Sequence, residues 1–244
     1  MNGQDSRLPQ PSVTERIERL RAGIVAACRE LARSGLVVGS AGNVSAREGD
    51  LVLVTPTGAR LATLTADELA VVDLDGQLVG QPLPPSSELP LHLAVYRHFD
   101  AGAVVHTHPP MATAVACVAD ELPCIHYTLL SLGGSVRIAP YVTFGTAELA
   151  ASVVEALQGR RAALMGGHGA VTYGGDIHAA RAATELREWA CGVYVHACAC
   201  GTPRVLDEHQ RQATAAALAT YGEPAPAPVT DTTAPAPPGL APLP

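Results

Sequence analysis

Apolar residues recur at helical spacing over 12–35. Ile17, Leu20, Ile24, Val25, Cys28 and Leu31 form one stripe, Ser12 opens the run and Gly35 closes it, which predicts an amphipathic first helix. The period then changes to the two-residue alternation and short apolar runs of strands: 43–48, 51–58 and 69–80, the last folded back on the turn signal Asp73-Leu74-Asp75-Gly76-Gln77. A helix is expected to start within 85–99, carrying Glu88 and His92 on one face. The apolar strand 101–109 runs out on His106-Thr107-His108 and a Pro pair. Further helices are predicted over 109–120, 146–159 (N-cap Thr146, with Glu148 in the first turn), 176–200 (cap Asp176) and 207–222. A strand and loop fall at 135–145, and a glycine-rich hairpin at 162–174. Residues 1–11 read as a loose leader, and 223–244 as a disordered or polyproline-like Pro/Ala tail. The block 12–222 is then one α/β domain with a mixed, largely hairpin-built sheet among helices.

Composition narrows the chemistry. The chain has 244 residues, enough for one large domain. A net charge of −7 without a basic patch argues against nucleic acid as a partner. No apolar run reaches the ~20 residues needed to span a bilayer, and the polar N-terminus lacks the apolar segment of a signal peptide. The six cysteines form no CxxC pair and are expected to be buried free thiols in a reducing cytoplasm. All 16 basic residues are Arg. Without Lys there is no Schiff base, no pyridoxal anchor and no P-loop lysine, so carbonyl or carbanion chemistry here would need a metal.

His106 and His108 are either ordinary histidines beside a loop or half of a metal site. Two residues apart on a strand, they share a face. His168, flanked by glycines in "MGGHGAV", would make a third imidazole, leaving a position open for catalysis. Glu88 would add a carboxylate that can ligate and then act as a base; the alternative is a helix-capping residue. The loops "SAGNVS" (40–45), "TPTG" (55–58) and "PSSE" (85–88) each read as a turn when taken singly. Together they could cradle a phosphate without lysine.

The ordered set "GSAGNVS" (39–45), "TPTG", "PSSE", "AVVHTHP" (103–109), "IHY" (125–127), "APYVTFGT" (139–146), "HGAVTYG" (168–174) and "TYG" (220–222) resembles the class II aldolase/adducin family over 12–222. That resemblance implies a three-layer α/β domain with a central, mostly antiparallel sheet flanked by helices. It implies zinc, or manganese or cobalt, on His106, His108, His168 and Glu88, with Glu88 as catalytic acid/base. It assigns Gly42, Asn43, Thr57, Gly58, Ser86 and Ser87 to the substrate phosphate, Tyr127 to a neighbouring subunit's site as proton donor, and Tyr221 to closure. The implied protein is a cytoplasmic homotetramer with sites at subunit interfaces. It would cleave an L-fuculose 1-phosphate-like ketose to dihydroxyacetone phosphate and a small aldehyde through a metal-stabilised enediolate. A sugar-phosphate 4-epimerase and a 3-oxo-acid phosphate decarboxylase are the alternatives on this scaffold. An adducin-like scaffold without catalysis is disfavoured by the three histidines and Glu88. His92, four residues after Glu88, fits a supporting or core role.

Overall fold

The computed structural model describes residues 11–80 and 83–220. The leader except Pro11, the tail and Tyr221 lie outside the described residues. The first helix, α1 (Val13–Arg33), starts at a reciprocal capping box: Ser12 Oγ accepts from the Glu15 N–H, and the Glu15 carboxylate accepts from the Ser12 N–H. Its stripe of Ile24, Val25, Cys28 and Leu31 is buried.

Strands β1 (Gly42–Glu48), β2 (Leu51–Val54) and β3 (Ala70–Asp73) follow as an antiparallel meander. The expected strand over 51–58 stops at Val54, because Pro56 has no N–H to give a ladder. Its "TPTG" end is loop. The turn after β3 forms as predicted: the Asp73 carboxylate accepts from the Asp75 and Gln77 N–H groups.

Next come α2 (Leu89–His98), β4 (Ala103–Thr107), α3 (Pro110–Val118) and a two-residue β5 (Glu121–Leu122). A 3-10 helix at Tyr127–Leu132 precedes β6 (Val136–Ala139), α4 (Ala147–Ala156), β7 (Ala162–Met165), β8 (Gly169–Gly174), α5 (Ile177–Cys200) and α6 (Glu208–Ala219). The 3-10 helix and β5 have no periodic signal, being too short for one.

The strands form one sheet in the order β3-β2-β1-β4-β8-β7-β6-β5, antiparallel except between β6 and β7. Side-chain alternation sorts the core into layers. Val104 and Val171 pack with α2 and α4 on one face, while Val44, Ala46, Ala103 and Val105 pack with α1 and the start of α5 on the other. Leu164 and Ala170 join α3, α5 and the 3-10 helix in a third cluster. β4 lies in the middle, buried along its whole length. Its even-numbered side chains point toward α2, so His106 enters the sandwich on the α2 face.

No helix among the described residues is long and apolar enough to cross a membrane. All six cysteines are free. Cys28, Cys124 and Cys191 are buried as expected, but Cys117, Cys198 and Cys200 are exposed. They lie at the ends of α3 and α5, where the helices pass beyond the core.

Candidate metal centre and substrate cavity

Three elements bring four ligand groups together. His106 is near the end of β4, and His108 follows it just before Pro109 and Pro110 turn the chain into α3. His168 sits in the tight turn between β7 and β8. Glu88 is the N-cap position of α2, but its carboxylate makes no cap hydrogen bond. It points instead at the histidines, so the capping reading fails. One ligand atom from each of Glu88, His106, His108 and His168 lies within 4.8 Å of every other.

Two close approaches depend on glycine. A Cβ on Gly169 would fall 2.6 Å from the Thr107 carbonyl oxygen and 2.9 Å from the His108 ring. A Cβ on Gly42, whose φ is +117°, would meet the His106 carbonyl oxygen at 2.9 Å. Gly169→Ala should therefore push the His108 strand end away from β8. The expected cost is about 1–3 kcal/mol of stability, read from urea unfolding of the metal-free chain, together with weaker metal binding. Unchanged unfolding and binding would contradict this close packing.

The donor set fits a divalent cation. His106 Nδ1 lies 3.0 Å from the Ala170 carbonyl oxygen, which can only accept, so the ring carries its proton on Nδ1 and presents a bare Nε2. That Nε2 faces His108 Nε2 at 2.8 Å and Glu88 Oε2 at 3.0 Å. Lone pairs this close repel unless a cation, metal or proton, lies among them. Glu88 Oε1, 3.4 Å from His168 Nε2, is buried with no hydrogen-bond partner. Such an orphaned, buried carboxylate oxygen fits the role of a metal ligand.

Burial lowers the His108 pKa from an ordinary 6.5 to about 4 and also lowers that of His168, with the neighbouring His106 adding to both shifts. Burial alone would raise the Glu88 carboxyl. A proton shared with the facing His106 Nε2, together with the Asn43 amide, outweighs it and holds the group below the usual carboxylate range.

These shifts share one sign. Between about pH 6.5 and 4 the unfolded chain binds a proton at His108 that the folded chain refuses, so acid favours unfolding. Glu88, lowered on folding, likewise contributes stability above its unfolded pKa and loses it on acidification. The unfolding free energy of the metal-free chain should fall steadily from pH 7 to pH 4.5 in urea titrations. A flat profile would contradict the burial of neutral imidazoles.

A cavity of about 290 Å³ opens directly above the cluster. Its wall includes Gly42, Asn43, Thr57, Gly58, Ser86 and Ser87, the six positions expected to face a phosphate, together with Glu88, His108 and His168. The three loops are laced to one another: the Thr55 N–H donates to the Val44 carbonyl, the Thr57 N–H to the Pro84 carbonyl and the Ser86 N–H to the Thr55 carbonyl. Asn43 is the least free of the six. Its Nδ2 donates to Glu88 Oε2 at 3.0 Å, and its Oδ1 lies 2.6 Å from His92 Nε2. Tyr127 does not line the cavity of its own chain. It stands half-exposed at the start of the 3-10 helix beside His126.

Sequence reasoning missed Tyr141, Val142 and Phe144, which line the mouth of the cavity; Tyr141 and Phe144 are largely exposed. Aromatic residues in a Pro/Gly-bounded loop were the available signal. Reasoning also missed Glu188 on α5, whose two carboxylate oxygens accept from the Met111 and Ala112 N–H groups at 2.8 and 2.9 Å. Because Pro110 has no N–H, Glu188 caps the donors left at the start of α3 and anchors the turn after His108.

The model of the class II aldolase and adducin N-terminal domain matches residues 22–195. The chain belongs to the class II aldolase/adducin family. A 5-methylthioribulose-1-phosphate/5-deoxyribulose-1-phosphate aldolase of Rhodospirillum rubrum is 37% identical over 207 residues, 84% of this chain and 93% of that protein. The L-fuculose phosphate aldolase of Escherichia coli K12 is 43% identical over 155 residues, 63% of this chain and 72% of that one. A solved L-fuculose 1-phosphate aldolase superposes with a TM-score of 0.79 at 30% identity, covering 82% of this chain and 96% of that one. The expected fold is borne out, and with aldolases as its named relatives the chain is an aldolase-type lyase.

Proposed function

We propose that the protein cleaves a 1-phosphorylated ketose to dihydroxyacetone phosphate and a small aldehyde, using zinc held by His106, His108, His168 and Glu88. One observation carries this reading: four ligand atoms converge beside a cavity that three of the four residues, Glu88, His108 and His168, line together with three hydroxyl- and glycine-rich loops. Three imidazoles and one carboxylate suit zinc, with manganese and cobalt as the alternatives that elemental analysis separates. When bound, the ion would stabilise the negative charge left on the hydroxyketone fragment.

The rest falls to the chain's own groups. Thr57, Ser86 and Ser87 offer short hydroxyl side chains, and Gly58 and Ser87 add backbone N–H groups; the two serines stand just before α2, whose dipole favours a phosphate. In the cleavage direction the C4 hydroxyl gives up its proton, the C3–C4 bond breaks, and the electron pair passes to the hydroxyketone fragment, which is then protonated at C3. Glu88, whose unpartnered Oε1 lies among the histidines at the cavity wall, is the group for that last transfer: it takes up a proton before giving it to C3, and the proton leaving the C4 hydroxyl balances the count. Tyr127, reaching in from a neighbouring subunit of a homotetramer, would exchange the proton at the aldehyde oxygen. Tyr221 would close over the site. The free thiols suit a cytoplasmic enzyme.

Relatives named as ketose 1-phosphate aldolases support this substrate class. Two named for 5-methylthioribulose 1-phosphate or 5-deoxyribulose 1-phosphate align over 84–85% of this chain, a third so named aligns over 64%, and the E. coli fuculose enzyme over 63%. The test is a panel of these three ketose 1-phosphates, coupled to detection of dihydroxyacetone phosphate. Release from at least one is expected. Exchange of C4 epimers without that product would favour the epimerase. Carbon dioxide from a 3-oxo-acid phosphate, with every ketose silent, would favour the decarboxylase.

A further inference from the structure

A buried hydrogen-bonded chain runs from the candidate metal centre into the core between α2 and β1. Glu88, His92 and Tyr96 recur every fourth residue along α2, over Asn43 and Ser45, alternate residues of β1. All five are buried, with Ser45 and His92 fully so. The contacts are Asn43 Nδ2 to Glu88 Oε2 at 3.0 Å, Asn43 Oδ1 to His92 Nε2 at 2.6 Å, His92 Nδ1 to Ser45 Oγ at 2.6 Å, and Ser45 Oγ to Tyr96 OH at 2.7 Å.

Donor and acceptor capacities fix every direction in this chain. An ionised carboxylate only accepts, so the Asn43 amide must turn its NH₂ to Glu88 and its oxygen to His92. His92 must then carry its proton on Nε2 and accept at Nδ1 from the Ser45 hydroxyl. Ser45 in turn accepts from Tyr96.

We propose that His92 is a positioning residue. Through the Asn43 amide it holds Glu88 Oε2 in place beside His106 Nε2, which leaves Oε1 without a protein partner next to His168. The inference rests on the metal-centre reading above and deepens it. Any buried histidine needs partners at its nitrogens, so what singles out His92 is which partners it has. Here both nitrogens are engaged at 2.6 Å, and the line they complete ends on the carboxylate. Without His92 the Asn43 amide is free to rotate and present its oxygen to Glu88, which repels it.

The experiment measures the zinc dissociation constant by chelator competition, with no sugar present, on the full chain and its variants. His92→Leu should weaken zinc binding about 10- to 100-fold, the range found when a group supporting a metal ligand is lost. His92→Gln, whose amide can still donate to Asn43, should recover part of that loss. Ser45→Ala, which leaves His92 in place, should cost less than His92→Leu and serves as the second probe if His92→Leu does not fold. In an Asn43→Ala background, His92→Leu should add no further loss, because its route to Glu88 is already cut. Equal zinc affinity in the wild type, His92→Leu and Ser45→Ala chains would overturn the positioning role and leave the metal centre standing. So would a full additional loss in the Asn43→Ala background, which would mark His92 as a packing residue only. A wild-type chain that binds no zinc would overturn the metal-centre reading and this role with it.

Discussion

His108→Ala should strip the metal and abolish cleavage together, the largest effect expected of any single substitution here. His108 supplies one of four converging ligand atoms, and its ring is partly buried, so truncation cannot be repaired by a neighbouring side chain. Losing a group that only supports a ligand costs about 10- to 100-fold in affinity. Losing the ligand itself should exceed that, so zinc leaves during ordinary dialysis. The fold should survive. His108 lies past the end of β4 and belongs to none of the three apolar clusters, so its truncation leaves the core packing in place. Elemental analysis beside circular dichroism reads both halves: metal absent, helical signal unchanged. A variant that keeps a full equivalent of zinc would show that His108 is not a ligand.

Glu88→Gln should separate binding from chemistry. The amide is nearly the same size and still offers an oxygen, so Asn43 and the histidines can stay in place and the metal should be retained. What is lost is the basic oxygen. Turnover should fall about 10²- to 10⁴-fold, as for removal of a positioned general acid/base. The Michaelis constant should move little, since the loops proposed to hold the phosphate are untouched. Normal turnover in this variant would place the base elsewhere.

Much of the fold could be read directly. The stripe of α1, the Asp176 and Thr146 caps and the turn at 73–77 are local signals, written in residues three or four apart, and the structure follows them. His106 and His108 were likewise legible as a pair, because alternation on a strand puts both on one face. The supporting groups were not. Asn43 lies 45 residues from Glu88 and 49 from His92, joined only because β1 pairs with β4 beneath α2. Periodicity within a segment says nothing about which segments meet. His92 could be placed on the Glu88 face of its helix, but its partners could not be named. Tyr127 shows the same limit from the other side. Its motif is plain in sequence, yet within one chain it stands away from the cavity, where only a second copy would give it the expected task.

The account is tested most directly by removing and restoring the ion. The purified chain should carry about one zinc-like ion, and chelation should stop dihydroxyacetone phosphate release from the ketose 1-phosphate that the panel identifies. One equivalent of zinc should restore release in the wild-type chain but not in His108→Ala. A chelated, metal-free chain that goes on cleaving at an unchanged rate would contradict the assignment of His106, His108, His168 and Glu88 as the catalytic metal centre.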